Sequence, residues 1–370
     1  MRSSRVRNNP GEVVRTMRGR TLVFALSALL IGPGVVRGQE APNFGEAGSL
    51  RRLHPGVHTL LLRLEQAHGV LLDALAREGA AVRARGEDLP TFGFEFELVD
   101  RLTFLVQGEG DASDAEAAAA GYALLGERGE EVVRWGHAFQ REVTSILADP
   151  EIADPDAALQ EAVRTYRSRP GVALPGVPKD MDILYVHPFA LGFRTGYADL
   201  DGLVWAGYWF RLAVTEPFTD LPAGDARSAG VDTVTARYFA KLSYGEPPSF
   251  FPSEIPLAPA IAPGLIWRSP EAAMIWDNLS MLFEVVADVL ASPDTPDVES
   301  ALEATFDFFL DPALAVTDQD EWEIMALRHG IFFQGGYPLA VMTESELNAD
   351  SHAAHFGGGT TLTIPGMPRR

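Results

Sequence analysis

Cysteine is absent from the 370-residue sequence. Disulfide bonds, thiolate nucleophiles, cysteine-ligated zinc, iron–sulfur clusters and covalently attached haem are therefore excluded together. An acylated lipoprotein anchor is not expected for the same reason. Any metal site has to be built from histidine, carboxylate, methionine or backbone oxygen ligands.

Lysine is almost absent, and positive charge is scarce overall. Only Lys179 and Lys241 occur, and all other basic residues are arginine. The formal net charge is −21, and because residues 1–38 carry seven arginines and one glutamate, the remainder of the chain carries about −27. Such a body repels phosphate backbones and anionic headgroups, so we predict no nucleic-acid partner and no peripheral binding to anionic membranes.

Long apolar runs are missing after the first 38 residues. Residues 21–31 form a short apolar run that follows several arginines and ends at a Gly-Pro-Gly break, which is typical of a secretory signal. We predict a signal peptide over residues 1–38, cleaved after Gly38, with either Met1 or Met17 as the true start. An uncleaved anchor is the alternative, but spanning a bilayer needs about 20 apolar residues. The expected location is periplasmic or extracellular, with no transmembrane span in the mature chain.

The familiar catalytic signatures are also missing. The sequence has no HExxH zinc helix, P-loop, dinucleotide-binding glycine motif, GxSxG elbow or EF-hand loop. Only enzymes with local signatures are excluded in this way, so a hydrolase with a non-local active site stays open.

Helical periodicity and capping signals are present through most of residues 39–347, which we predict to be one mainly helical domain with a possible sub-boundary at 170–180. Residues 348–370 are rich in glycine and proline, and a flexible tail is expected there. Helices are predicted over residues 53–82, 155–169, 226–242, from Ser269 onward, from Thr295 to 310, and 318–332. Residues 113–147 are predicted to form either one helix or a broken pair with its joint near 126–129, and residues 200–214 a buried helix.

Three segments depart from the helical pattern. Phe92, Phe94, Phe96 and Leu98 alternate with smaller or acidic residues, which predicts a strand within residues 91–106. Residues 181–217 are dense in aromatics, and residues 246–264 contain six prolines and are predicted to form an irregular loop. The expected fold class is mainly α, a helical bundle with a long aromatic- and proline-rich irregular insertion and at most a few short strands.

The first long helix carries the best chemical lead. His58, Glu65 and His68 recur at i, i+7 and i+10, within about 80° of one another around the helix axis. Glu65 and His68 also form a Glu-x-x-His pair, the spacing with which di-iron carboxylate bundles aim two ligands inward, although such bundles need a second pair. His68 replaces an aliphatic residue on the apolar stripe. It is either a metal ligand or a core histidine that bonds a neighbour.

Further candidates lie on other helices. His137 flanks an apolar stripe and is interpreted as a boundary histidine. Asp277, Glu284 and Asp288 share one side of the helix that starts at Ser269, which is typical of a solvated face. If that side faced inward, Glu284 and Asp288 could complete a metal site with His68 and His137.

Three other polar residues are given structural interpretations. His187 lies in the aromatic segment, where packing is favoured over a role in a pocket. Arg211 and Glu216 are interpreted as ordinary surface charge, because neither shows a pairing that indicates acid–base catalysis.

Two function classes follow, and a third is kept open. The favoured class is an exported, non-catalytic binding protein of the cell envelope, which could hold a transition metal such as iron or copper through His58, Glu65, His68 and His137, with Glu284 and Asp288 as weaker candidates. The alternative is a scaffold that binds an envelope protein partner without a metal. The third is a hydrolase with a non-local active site.

Overall fold

The structure is a computed structural model that describes residues 44, 48–88, 90–243 and 255–333. The predicted signal peptide over residues 1–38 and the predicted tail over 348–370 lie outside the described residues. The helices of the first part are α1 (Gly48–Leu53), α2 (Pro55–Arg85), α3 (Phe94–Phe104), α4 (Ala112–Ala123), α5 (Gly126–Ala148), α6 (Pro155–Arg167) and α7 (Ile183–Val186).

A second series of helices begins after the aromatic segment. These are α8 (Ala198–Ala213), α9 (Glu216–Asp220), α10 (Asp225–Ser243), α11 (Ala258–Ile261), α12 (Pro263–Arg268), α13 (Pro270–Ala291), α14 (Val298–Leu310) and α15 (Gln319–Phe333). The mainly α, bundle-like fold class is confirmed. Within the described ranges the backbone forms no strand and only one isolated antiparallel bridge, between Lys179 and Val316. None of the described helices combines the length and apolarity needed to cross a membrane.

The strand predicted within residues 91–106 is wrong, because this segment forms α3 and a wider π turn over Leu105–Glu109. The buried side chains are Leu98, Leu102, Leu105 and Val106, which recur at helical spacing. Phe92 and Phe96 are exposed. The alternation in the sequence therefore came from solvent-facing phenylalanines and not from a strand with one buried side.

The irregular loop predicted over residues 246–264 is wrong at its end, where α11 forms and α12 starts. Pro259 and Pro263 occupy first-turn positions of these helices. A proline there loses no intrahelical hydrogen bond, since the first amides of a helix have no partner within it. The rest of this predicted loop, up to residue 254, lies outside the described residues. The predicted joint near residue 126 is confirmed, since α4 ends at Ala123 and α5 begins at Gly126.

Helix α13 runs through the centre of the fold and is buried from Ala272 to Ala291. The solvated face predicted for Asp277, Glu284 and Asp288 is therefore wrong, since all three are at most 1% exposed. Asp277 accepts hydrogen bonds from the Ala258 amide at 3.0 Å and from the Trp322 indole at 3.0 Å. A polar stripe on a helix can thus face the core when it anchors neighbouring segments.

Helices α2 and α4 pack at unusually close range because glycine faces glycine. A Cβ atom added at Gly121 would overlap the carbonyl oxygen of Gly69, and one added at Gly69 would overlap the backbone of Ala118. The Tyr122 hydroxyl donates to the Glu65 carbonyl oxygen in the same contact. This contact sets how α2 is oriented against α4 at Gly69, the residue after His68.

Lys179 is fully buried and contacts the C-terminal end of α14. Its ammonium group donates to the carbonyl oxygens of Phe308 at 3.0 Å, Asp311 at 2.6 Å and Leu314 at 2.6 Å. These are carbonyl groups at the end of α14 and in the loop that follows, which have no helical partner of their own. One lysine therefore holds the C-terminal end of α14 against the segment before α7.

Candidate functional site

Helices α2, α5, α8 and α13 enclose a small internal cavity of about 10 Å³. A cavity of this size holds a particle about as large as one water molecule. Leu279 and Phe283 supply its apolar wall. Its polar lining consists of His68, His137, Gln140, Tyr208, Arg211 and Ser280. Each of the four helices contributes a polar group, so the site exists only in the folded bundle.

The two histidines face each other across this cavity. The ring centroids of His68 and His137 are 5.7 Å apart, and Phe283 packs against both rings. The boundary position predicted for His137 is wrong, since the residue is 3% exposed. Burial, together with the positive charge of Arg211, holds the pKa of each imidazole well below its ordinary value. Both rings are therefore neutral at neutral pH.

Arg211 is the charged residue of the cavity, and its predicted surface position is wrong because it is 1% exposed. Glu216, also predicted as surface charge, is fully buried as well. The Arg211 guanidinium donates one hydrogen bond, from Nη1 to the Gln140 side-chain oxygen at 3.1 Å. Its Nε and Nη2 atoms have no hydrogen-bond partner among the described residues.

Two more buried polar atoms at the cavity lack a partner. His68 Nδ1 is unpaired within the described structure, and the Tyr208 hydroxyl, which interacts with the Glu284 carboxyl group, has no partner there at full hydrogen-bond geometry. An unsatisfied buried polar group costs about 1–3 kcal/mol, and more when it is charged. Four of the buried polar atoms that lack a partner among the described residues thus belong to three residues that line this one cavity.

The metal-ligand set predicted from the sequence is not assembled. Of its members, only His68 and His137 meet at the cavity. Glu65 forms an ion pair with Arg141, and His58 is only partly buried. Among the described residues, no group of three or more histidine, aspartate or glutamate side chains could hold a metal ion. Metal binding by His68 and His137 alone remains a prediction.

Glu284 and Asp288 belong to a second buried cluster between α8 and α13, which we call the carboxylate cluster: Asp201, Glu284, Asp288, Arg194 and His187. Asp288 accepts from Arg194 Nη2 at 2.8 Å, from the Phe193 amide at 2.8 Å and from the Leu191 amide at 3.3 Å. His187 Nε2 lies 3.0 Å from the same carboxylate. Asp288 thus fastens the chain between α7 and α8 onto α13.

The carboxylate cluster contains three acids but one guanidinium. Burial raises the pKa of Glu284 to about 8, with Asp288 adding to the rise and Arg194 opposing it. Burial and the neighbouring Glu284 raise the pKa of Asp201 well above its ordinary value. Glu284 and Asp201 are therefore mostly protonated at neutral pH, and Arg194 is balanced by Asp288.

A larger groove of about 360 Å³ lies on the surface between α6 and the start of α13. Its two arginines are already paired, Arg164 with Glu161 at 2.6 Å and Arg167 with Glu271 at 2.6 Å. Exposed pairs of this kind leave little unbalanced charge for a ligand. The internal cavity is therefore the stronger candidate.

Ser280 lies at the cavity near both histidines, which bears on the hydrolase hypothesis. Its hydroxyl approaches the Trp276 carbonyl oxygen at 3.4 Å, one helical turn away. A nucleophilic serine instead shares a hydrogen bond with its base. No bond from Ser280 to a histidine occurs among the described residues, so this serine is not arranged for nucleophilic attack.

Comparison with known proteins adds no relative from which a function could be transferred. No protein-family model matches the chain, and no curated protein or solved structure is significantly similar to it. The geometry of the two buried clusters is therefore the basis for a function.

Sequence reasoning found His68 and His137 but missed Tyr208, Arg211 and Arg194. A signal for two of them was available. Helix α8 is apolar on every side from Gly202 to Phe210, and a helix of that kind is buried all round. Tyr208 lies within this run, and Arg211 follows directly after it on the same helix. Arg194 has no such signal, since its partner Asp288 is 94 residues away.

Proposed function

We propose that this protein is an exported, non-catalytic binding protein of the cell envelope whose ligand occupies the internal cavity between α2, α5, α8 and α13. One observation carries the proposal: His68, Tyr208 and Arg211 line one small cavity, and together they carry four buried polar atoms without a hydrogen-bond partner among the described residues. Native cores pair more than 90% of such atoms, so a partner for these four is expected.

Burial of the cavity favours binding over catalysis. Its polar lining residues are all 5% exposed or less. A turnover enzyme has to admit substrate and release product in every cycle, which usually requires a cleft or a moving lid. A ligand in this cavity exchanges only when the bundle opens locally, which suits a constituent that is held for long periods.

Histidine NMR tests the binding proposal. The eight histidines give separate ring resonances, and the chain is titrated in turn with chloride, bromide and zinc, with time allowed for slow exchange. We expect one of these to shift His68 and His137 together while His54 and His58, which lie outside the cavity, stay unchanged. If every probe leaves both cavity histidines unmoved, the binding proposal fails.

Elemental analysis tests the metal form of the proposal separately. Iron, copper, manganese or zinc near one atom per chain would support ligation by His68 and His137. The buried guanidinium of Arg211 argues against it, because a cation beside both imidazoles raises the cost of placing a metal ion there.

Export is proposed from the sequence of residues 1–38 and is tested by fractionation. We expect the protein in an extracytoplasmic fraction with Gln39 as its first residue on N-terminal sequencing. Retention in the cytoplasm with residues 1–38 attached would contradict the proposed location.

The alternative, a scaffold that binds an envelope protein partner, is supported by a different observation. Phe92, Phe96 and Phe104 are all more than half exposed around α3. Exposed aromatic side chains that form a contiguous patch are typical of interaction surfaces, and the alternative requires these three to act as one. Under this alternative, wild-type protein in mild envelope extracts elutes at high mass, and the variant with Phe96→Ser and Phe104→Ser elutes as a monomer. Elution of the wild type as a monomer would count against a scaffold.

A further inference from the structure

The charges around the cavity decide which ligand it can hold. Arg141 is paired with Glu65, and Arg194 is paired with Asp288. Arg211 has no carboxylate within salt-bridge distance among the described residues, and its one bonded partner is the neutral Gln140. Glu65 attracts Arg211 electrostatically, but that carboxylate already serves Arg141. The positive charge of Arg211 is thus not balanced by a carboxylate partner among the described residues.

An uncompensated buried charge is costly in a low-dielectric core. Native proteins remove this cost by pairing the charge, and Arg211 offers two free donors, Nε and Nη2, for the purpose. The Tyr208 hydroxyl and, in the appropriate tautomer, the His68 Nδ1–H are further free donors. Several donors and one cation around a cavity form a site for an acceptor that carries negative charge.

The size of the cavity restricts the ligand further. About 10 Å³ accommodates a single atom or a water-sized particle. Phosphate, sulfate and carboxylic acids of metabolic size are too large for it. A neutral water molecule fits, but it leaves the charge of Arg211 unbalanced.

We infer that the cavity binds one halide-sized monovalent anion, of which chloride is the chemical type, held by Arg211, Tyr208 and His68. This inference rests on the proposed function, since it names the ligand class of the same site. It also explains why a strongly acidic protein retains a fully buried arginine without an acidic partner.

Thermal unfolding in halide salts tests the inference. Sodium gluconate, whose anion is too large for the cavity, is replaced stepwise by sodium chloride or sodium bromide at constant ionic strength and pH. The unfolding midpoint should rise with halide concentration and approach a logarithmic dependence on it. At one hundred times the dissociation constant, the rise should be roughly 5 °C. A midpoint that does not depend on the identity of the anion would overturn the inference.

Matched arginine substitutions locate the effect. Arg211→Met should abolish the halide dependence, whereas Arg227→Met should retain it, because Arg227 is partly exposed and donates to the Leu221 carbonyl oxygen far from the cavity lining. A halide dependence that persists in Arg211→Met would place the anion elsewhere and overturn the assignment.

A direct measurement keeps the test decisive if Arg211→Met does not fold. Crystals of the wild-type chain grown in bromide should show an anomalous peak in the cavity, within hydrogen-bond distance of Arg211 Nη2. An empty or water-filled cavity in such crystals would overturn the inference.

The outcomes also separate the inference from the proposed function. If zinc, but no halide, shifts the His68 and His137 resonances and raises the midpoint, the anion is wrong while the binding function stands. If no probe affects either the resonances or the midpoint, both are wrong.

Discussion

Two buried arginines on neighbouring segments, Arg194 and Arg211, have opposite surroundings. Arg194 lies in the carboxylate cluster, where Asp288 accepts its hydrogen bond at 2.8 Å and Glu284 lies 4.0 Å away. Arg211 lies at the cavity, where it bonds only the Gln140 amide oxygen. The same side chain, almost equally buried, is thus paired with a carboxylate in one place and bonded only to a neutral amide in the other. This difference distinguishes a structural ion pair from the proposed binding site.

The largest difference in stability is expected when each arginine is replaced by methionine and the free energy of unfolding is measured in sodium gluconate. Arg194→Met should lower the free energy of unfolding by about 3–5 kcal/mol, because it leaves the buried Asp288 carboxylate without its cation. Arg211→Met should lower it by less than about 1 kcal/mol or raise it, because it removes a buried charge that has no carboxylate partner. Urea denaturation measures both values, and equal losses would remove the distinction between the two sites.

A second test removes the neutral partner of Arg211. Gln140→Leu should lower the free energy of unfolding by about 1.5–3 kcal/mol, because the hydrogen bond it removes ends on a charged donor that then stays buried. Gln160→Leu on the exposed side of α6 is the matched control and should change stability by less than about 0.5 kcal/mol. An equally small effect of Gln140→Leu would show that Arg211 does not depend on this bond.

The pH dependence of the free energy of unfolding tests the carboxylate cluster around Arg194. Since the pKa of Glu284 is raised to about 8 in the folded state, its contribution is fully present below about pH 4.5 and is lost as the pH rises through 8. Glu284→Gln should therefore flatten the decline of stability over this range, by at most about 1.4 kcal/mol per pH unit.

The control for this pH test is Glu303→Gln, whose side chain is exposed on α14. It should leave the slope unchanged. An unchanged slope in Glu284→Gln as well would mean that Glu284 is already ionised, and that the carboxylate cluster itself supplies negative charge beside Tyr208.

The smallest expected effect concerns the Tyr208 hydroxyl. Because this group has no hydrogen-bond partner in the described structure, Tyr208→Phe should change the free energy of unfolding in gluconate by less than about 0.5 kcal/mol. In chloride the same variant should be measurably less stable than the wild type, since a donor to the anion is lost. Equal stability of wild type and variant in both salts would remove Tyr208 from the site.

The helices were largely predictable from local chemistry. Asp154 and Ser269 cap α6 and α13 as expected, through bonds to the Ala157 and Ala272 amides. The strand predicted around Phe94 failed because period-2 alternation does not reveal which side chains are buried. Local patterns identify a helix reliably when its start carries a cap, and less reliably when apolar residues face solvent.

The candidate site was predictable only in part. The apolar stripe around His68 placed one imidazole in the core, and burial of that residue agrees with the expectation. The opposite error was made for Asp288 and Glu284, where a polar stripe was interpreted as a solvated face. Arg194, the partner of Asp288, is 94 residues away in sequence, so only the tertiary packing shows that these acids have a compensating group.

Lys179 has a consequence for chemical labelling of the protein. The ammonium group uses its three donors on backbone oxygens at the end of α14 and in the loop that follows, and the second lysine, Lys241, lies against the ring faces of Trp205 and Trp209. Acylation of residue 179 thus requires α14 to separate from the segment before α7. The rate at which an amine-directed reagent adds mass at this residue then reports how often that junction opens, without any engineered label.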